Sequence, residues 1–148
     1  MPNFSGVFPV YDLDIEICTT GTTGTTFAPI ADMENAKLSI ETGVETWHSI
    51  TEDGWQRALA TAKSYTLSMN GKRSIGDPGN DYIAGLALKN GRDCDSKIKV
   101  TFPDGAVFTG DVVVSVSDYA GDDTTAVNPL AFDLISNGKP TYTPATGS

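Results

Sequence analysis

The chain has 148 residues and a formal net charge of −9, with an isoelectric point near 4.3, which suits one domain over residues 1–148 that needs no staples. The carboxylate excess excludes nucleic-acid binding through clustered Lys and Arg, and docking on anionic lipid, but leaves room for DNA that passes without binding. No apolar run approaches the ~20 residues of a membrane span, and the N-terminus lacks the basic region and apolar core of a secretory signal.

Residues 1–10, with Pro2, Gly6 and Pro9, read as irregular. Two readings stand for this arm: a frayed terminus, and a segment that orders against a neighbour. A strand is expected over residues 11–17, with Tyr11, Leu13, Ile15 and Ile17 on one face and Asp12, Asp14 and Glu16 on the other. Three carboxylates on one face repel one another, so that face is either a solvated exterior or an acidic wall on a shared space. Residues 19–26 form a Thr/Gly loop, and residues 27–35 a connection.

A long second strand follows. Ala36, Leu38, Ile40, Val44, His48 and Ile50 share one face, and Lys37, Ser39, Glu41, Glu45 and Trp47 share the other. Thr42-Gly43 marks a bulge or bend. Trp47 on a wet face needs cover from its own chain or from a partner. Residues 51–63 read as a short helix capped by Thr51, with Trp55 and Leu59 four apart. The whole stretch 41–63 is expected to be a long polar connection with a function.

Tyr65, Leu67 and Met69 alternate with Thr66, Ser68 and Asn70, and then the period changes. Gly76-Asp77-Pro78-Gly79-Asn80-Asp81 is a helix start: Asp77 caps, Pro78 fits the first helical position, and Asp81 suits the positive end of the dipole. Tyr82, Ile83, Leu86 and Ala87 make the buried stripe, and Gly91 is the stop. Ile98, Val100 and Phe102 alternate in a strand that turns back at Pro103-Asp104-Gly105. Val112, Val113, Val114 and Val116 make the return strand apolar on both faces, hence central. Leu130, Phe132 and Leu134 form a last strand before the Asn137-Gly138 turn. The tail, about 139–148, reads as loose.

No catalytic or metal-binding constellation emerges. His48, the single histidine, lies on the apolar face of its strand with no nucleophile motif beside it, and reads as a core or interface residue. Asp118, Asp122 and Asp123 lack the ordered oxygen ligands of a calcium loop. Gly71-Lys72-Arg73 lacks the pattern of a phosphate loop. Cys18 and Cys94 read as reduced thiols, with one disulfide as the alternative, and are too few for a zinc site. No cofactor, no metal and no enzymatic activity are expected.

Three blocks then carry a resemblance. Trp47, Gly54-Trp55, Arg57 and Thr61-Ala62-Lys63-Ser64 come first, Ser68-Met69-Asn70-Gly71-Lys72-Arg73 second, and residues 76–84 third. Together with Thr101-Phe102-Pro103-Asp104-Gly105, Asp111-Val112-Val113-Val114, Pro129-Leu130-Ala131-Phe132 and residues 136–140, they resemble the major tail tube protein of long-tailed (siphovirus-type) phages of Gram-positive hosts. The likeness runs from about residue 10 to residue 143. Ala58 beside Arg57 departs from it, since a second basic residue is expected there.

The resemblance implies two packed antiparallel sheets (a β-sandwich or barrel) flanked by one helix. It implies hexameric rings that stack into a hollow virion tail tube and conduct DNA during ejection, assembled in the host cytoplasm. Partners would be other copies of the chain, a tape measure protein in the lumen, and distal tail and tail terminator proteins. The alternatives are the inner tube of a contractile phage tail or phage-derived bacteriocin, and, from a different class, a carbohydrate-binding β-sandwich that uses Trp47 and Trp55. On the tube reading, Trp47, Trp55, Arg57, Lys63, Lys72, Arg73 and Asp81 are the candidate contacts between subunits or rings. Asp12, Asp14 and Glu16, or Glu41 and Glu45, are the candidate lumen carboxylates.

Overall fold

Alternating apolar and polar residues build eight strands among residues 5–145, the part of the chain that the computed structural model describes. They are β1 (Asp14–Cys18), β2 (Phe27–Pro29), β3 (Met33–His48), β4 (Gln56–Lys72), β5 (Asp95–Thr101), β6 (Val107–Asp118), β7 (Pro129–Ser136) and β8 (Thr141–Thr143). One α-helix, α1 (Pro78–Gly85), lies between β4 and β5. All pairings are antiparallel, in the order β2-β1-β5-β6-β7-β4-β3, with β8 also on β6.

The two expected layers exist, and β6 belongs to both. Its residues 107–113 pair with β5, its residues 107–109 also with β8, and its residues 112–118 with β7. The first layer is therefore β2-β1-β5-β6-β8, and the second is β6-β7-β4-β3. Ile17, Ile98, Val100 and Phe108 from the first meet Leu67, Met69, Phe132 and Leu134 from the second in one buried cluster. Alternation puts these side chains on one face of each layer, and burying both faces together removes them from water at about 25 cal/mol per Å².

Tyr65 clamps the layers where β6 crosses between them. Its ring meets Phe108 edge-on at 5.1 Å, and its hydroxyl donates to the Asp111 carbonyl at 2.8 Å. A Cβ at Gly110 would overlap that hydroxyl, so the crossing needs glycine. Burial, with the Asp111 carboxylate adding to it, pushes the Tyr65 phenol up to about 12.

The helix start forms as the residues dictate. Asp77 Oδ2 accepts from the Asn80 N–H at 3.0 Å and from the Ala31 N–H at 3.1 Å. Asn80 is fully buried and its amide is saturated. Its Oδ1 accepts from Arg73 (2.9 Å) and the Ser74 N–H (3.0 Å), and its Nδ2 donates to the carbonyls of Ala31 (3.1 Å) and Lys72 (3.0 Å). Gly79 lies so close to the Pro29 carbonyl that a Cβ would overlap it. Ile83, Ala84 and Leu86 are buried, with Tyr82 and Ala87 partly so. The helix ends at Gly85, before Gly91, because the chain changes to turns there.

Four expectations need correction. Residues 10–12 form a 3-10 turn rather than the start of a strand, closed by the Asp12 N–H on the Pro9 carbonyl at 3.0 Å. Tyr11 consequently points into solvent and does not join the apolar face. Residues 51–63 are not helical: after a 3-10 turn (Ile50–Glu52), with Asp53 and Gly54 at positive φ, the chain returns as β4 beside β3. Cross-strand pairing overrides the helical spacing of Trp55 and Leu59. The stretch from Phe27 is not only a connection, since β2 pairs with β1. The tail is not loose throughout: β8 pairs Thr143 with Val107 and Thr141 with Thr109. Residues 1–4 of the arm and 146–148 of the tail lie outside the described residues. The bulge is where expected, with a register shift between Gly43 and Val44.

Two measurements check this account. Asn80→Ala leaves the groups that Asn80 pairs without partners in a dry site, and should cost about 2–4 kcal/mol in denaturant unfolding. For Tyr65, the folded value is above the unfolded one near 10, so its contribution is present below pH 10 and lost as pH rises toward 12. Wild-type stability should fall through that window by about 2–3 kcal/mol more than that of Tyr65→Phe.

Candidate functional site

The second layer outgrows the core. Beyond Ile40 and Tyr65 no strand among the described residues faces β3 and β4, which continue together as a projecting hairpin. Nearly every residue from 41 to 64 is exposed. Cross-strand partners share a face, so the register assigns each side chain. Thr42, Val44, Thr46 and His48 continue the core-side face with Lys63, Ala60, Ala58 and Gln56. Glu41, Glu45 and Trp47 lie on the outward face with Ser64, Leu59 and Arg57. His48 is thus exposed near the hairpin end and is not a core residue.

The hairpin carries more apolar surface than an isolated chain would leave wet. Trp55 is 76% exposed and Trp47 44%, with Ile50, Leu59 and Val44 also open. Trp47 has only the Arg57 guanidinium, 6.0 Å from the ring centroid, over it. Arg57 also lies 3.7 Å from Glu52. Lys63 donates to Thr42 Oγ1 at 2.9 Å across the hairpin.

Two edges of the second layer are open. Among the described residues β3 pairs with β4 alone, so its other edge is bare along all 16 residues. At the far side, β5 pairing stops at Val113, which leaves residues 114–118 of β6 without a strand on that edge. The outward face between these edges is built in rows. Asn35, Asn70, Ala131 and Asp118 form one; Lys37, Ser68, Asp133 and Ser115 the next; Ser39, Thr66, Ile135 and Val113 the third. Apart from Ile135, Val113 and Ala131 it is a surface of hydroxyls, amides and single charges.

The two sets of candidate carboxylates lie on opposite layers. Leu13 and Ile15 face Met33, Ala36 and Met69 across a groove of about 420 Å³. Asp14 and Glu16 therefore point away from the core on the first layer, where Glu16 lies 4.0 Å from Lys99. Glu41 and Glu45 point away from it on the second. Both sets cannot line the same space in one copy.

Lys72, Arg73 and Asp81 are engaged within the chain. Arg73 reaches the Asp81 carboxylate at 2.8 Å, and Lys72 reaches Glu34 at 3.4 Å. Asp81 also accepts from the Gly76 N–H. Within one copy, Arg73 and Asp81 hold the start of α1. Which strand edges stay open was not legible in the sequence, because an unpaired edge is a property of the sheet and not of any residue. Among the described residues no three His, Cys, Asp or Glu side chains gather into a metal-sized cluster.

The fold has solved counterparts. One is similar to this chain with a TM-score of 0.76 and 18% identity over 93% of this chain and 100% of the other, in the tail of an empty gene transfer agent particle refined helically with C6 symmetry. A second, from the virion of a native gene transfer agent, has a TM-score of 0.71 and 16% identity over 93% and 100%. A third, from the six-fold symmetrised baseplate of the anti-feeding prophage, has 0.60 and 11% over 97% and 99%. No curated protein matches by sequence. Residues 14–142, however, match the family described as phage tail tube protein. The match spans both layers, the helix and the projecting hairpin, and the chain belongs to the phage tail tube protein family, whose role in the virion tail is structural.

Proposed function

We propose that six copies close into a ring by pairing the open β3 edge of one copy with the open β6 edge of the next, and that rings stack into a hollow tube. The two open edges of one four-stranded layer carry this reading. In the order β6-β7-β4-β3 successive strands alternate in direction, so a neighbour's β3 set beside β6 continues the alternation. Cyclic closure removes both edges, which otherwise invite unlimited pairing. The core-side face of that layer is already covered by the first layer. Its outward face then becomes the lumen wall, with Glu41 and Glu45 as the lumen carboxylates and Asp12, Asp14 and Glu16 on the outside.

Such a wall suits passage of DNA. It offers no cluster of Lys or Arg to hold phosphates, and its carboxylates repel them, so a duplex slides without being trapped. Ejection requires conduction and no chemistry, so the protein is not an enzyme. During assembly in the host cytoplasm the same lumen would hold a tape measure protein, with terminator and distal tail proteins at the tube ends. The motifs around Trp55, Lys72 and Asp77 favour a long, non-contractile tail of a phage of a Gram-positive host. Heterologous contacts between rings give an open stack, and the hairpin of residues 41–63, with its bare tryptophans, is suited to reach the next ring.

Negative-stain microscopy of the concentrated protein should display rings and tubes. Trp55→Ala should keep the thermal midpoint within about 2 °C, because a surface change away from the core costs under about 0.5 kcal/mol, yet yield no long tubes. A wild-type chain that stays monomeric even with the tail's initiating complex would overturn the tube reading. Normal tubes from the variant would remove Trp55 from the ring contact.

A further inference from the structure

We infer that the contact between stacked copies is a charged, apolar lock in which the turn at residues 10–14 of one copy enters a groove at the hairpin base of another. The inference rests on the tube reading above. The groove, of about 550 Å³, opens between the layers where the hairpin leaves the body, and Ile40, Tyr65, Phe108 and Pro140 make its apolar walls. Two cations, Lys63 and Lys139, line it as well. In a chain of net charge −9 this is unusual. Six of the ten basic side chains lie within ion-pair distance of a carboxylate; among the described residues the other four, Lys37, Lys63, Lys89 and Lys139, do not, and two of those four meet in this groove, where Lys63 has only the neutral Thr42 hydroxyl as a hydrogen-bond partner. The site therefore asks for an occupant that is apolar and anionic at once.

The chain carries one at its other end. Val10 is 58% exposed and Tyr11 87%, and Asp12 and Asp14 beside them are exposed and make no ion pair among the described residues. Position makes the match productive. In the first layer β2 and β1 form one edge and β8 the other. The turn sits by β1 and beside the start of β3, and the groove by β8 and beside the middle of β3. Donor and acceptor are therefore different surfaces of one copy, and the contact is heterologous and can repeat from copy to copy. Opposite charges across it set the register, and Tyr11 supplies the area.

Charge reversal tests this in the full-length chain. Lys63→Glu with Lys139→Glu, and separately Asp12→Lys with Asp14→Lys, should each lower the pelleted polymer by about tenfold or more, the scale of a like-charge clash of a few kcal/mol. All four changes in one chain should restore tubes, since every contact then pairs reversed partners. Circular dichroism checks that each variant is folded. As a second readout, Tyr11→Cys with Lys139→Cys should give copper-catalysed disulfide ladders between copies, because the native Cys18 and Cys94 are buried. Wild-type tube yield from either reversed pair, or no recovery in the combined variant together with no ladders, overturns the lock. Wild-type chains that form no tubes at all would instead defeat the underlying tube reading.

Discussion

Sixteen residues of β3 hold their outer backbone groups toward no strand among the described residues, and this bare edge governs how the molecule can exist. In a monomer, water satisfies those groups. At high concentration a long, regular edge is a template for another strand. Proteins that stay alone shorten, twist or cover such an edge. This one extends it beyond its own core, with exposed apolar residues on both faces of the extension. The layer keeps a second bare stretch on β6, and a pair of open edges on one sheet is what a closed ring of identical copies requires.

A hairpin that reaches past the core needs a stiff base. Two polar devices supply it. At one end of the second layer the buried Asn80 amide joins the turn before β3, the end of β4 and the start of α1 through four hydrogen bonds. Arg73 and Asp81 complete that joint. Toward the hairpin, the Tyr65 hydroxyl on the Asp111 carbonyl ties β4 to the crossing point of β6. Unsatisfied polar groups in a dry site are costly, so these bonds define one geometry more sharply than apolar contacts would. The hairpin's direction relative to the body is thereby set before any neighbour arrives.

The charge of the chain is also partitioned. The net −9 suggests a uniformly acidic body, yet the outward face of the second layer is mostly hydroxyl and amide, with Lys37 beside Asp133 in one row. What distinguishes that face is the lack of clustered cations, relieved toward the hairpin by Glu41 and Glu45. On the proposed function, a lumen lined by this face would repel phosphates weakly and hold them nowhere. Asp14, by contrast, lies on the other layer, and Asp12 in the turn before it.

Strands, helix start and turns were legible from residues alone, because they rest on local chemistry. Leu67 and Met69, Ile98 and Val100, and Leu130, Phe132 and Leu134 alternate and are buried as alternation demands. Asp77, Pro78 and Asn80 satisfy a helix start whatever surrounds them, and Gly105 turns a hairpin because positive φ costs it little. The same locality explains the failures. Residues 51–63 have helical spacing but became a strand, since β3 offered a ladder that no window of sequence contains. Residues 141–143 looked loose because their partner, β6, lies more than thirty positions earlier. The sequence by itself determined which faces of the core strands are apolar and where the helix starts. Only the tertiary structure decided that Arg73 and Asp81 answer each other, that the two carboxylate sets lie on opposite layers, and that two sheet edges stay open. Those are relations between distant segments, and they come into being when the layers close on one core.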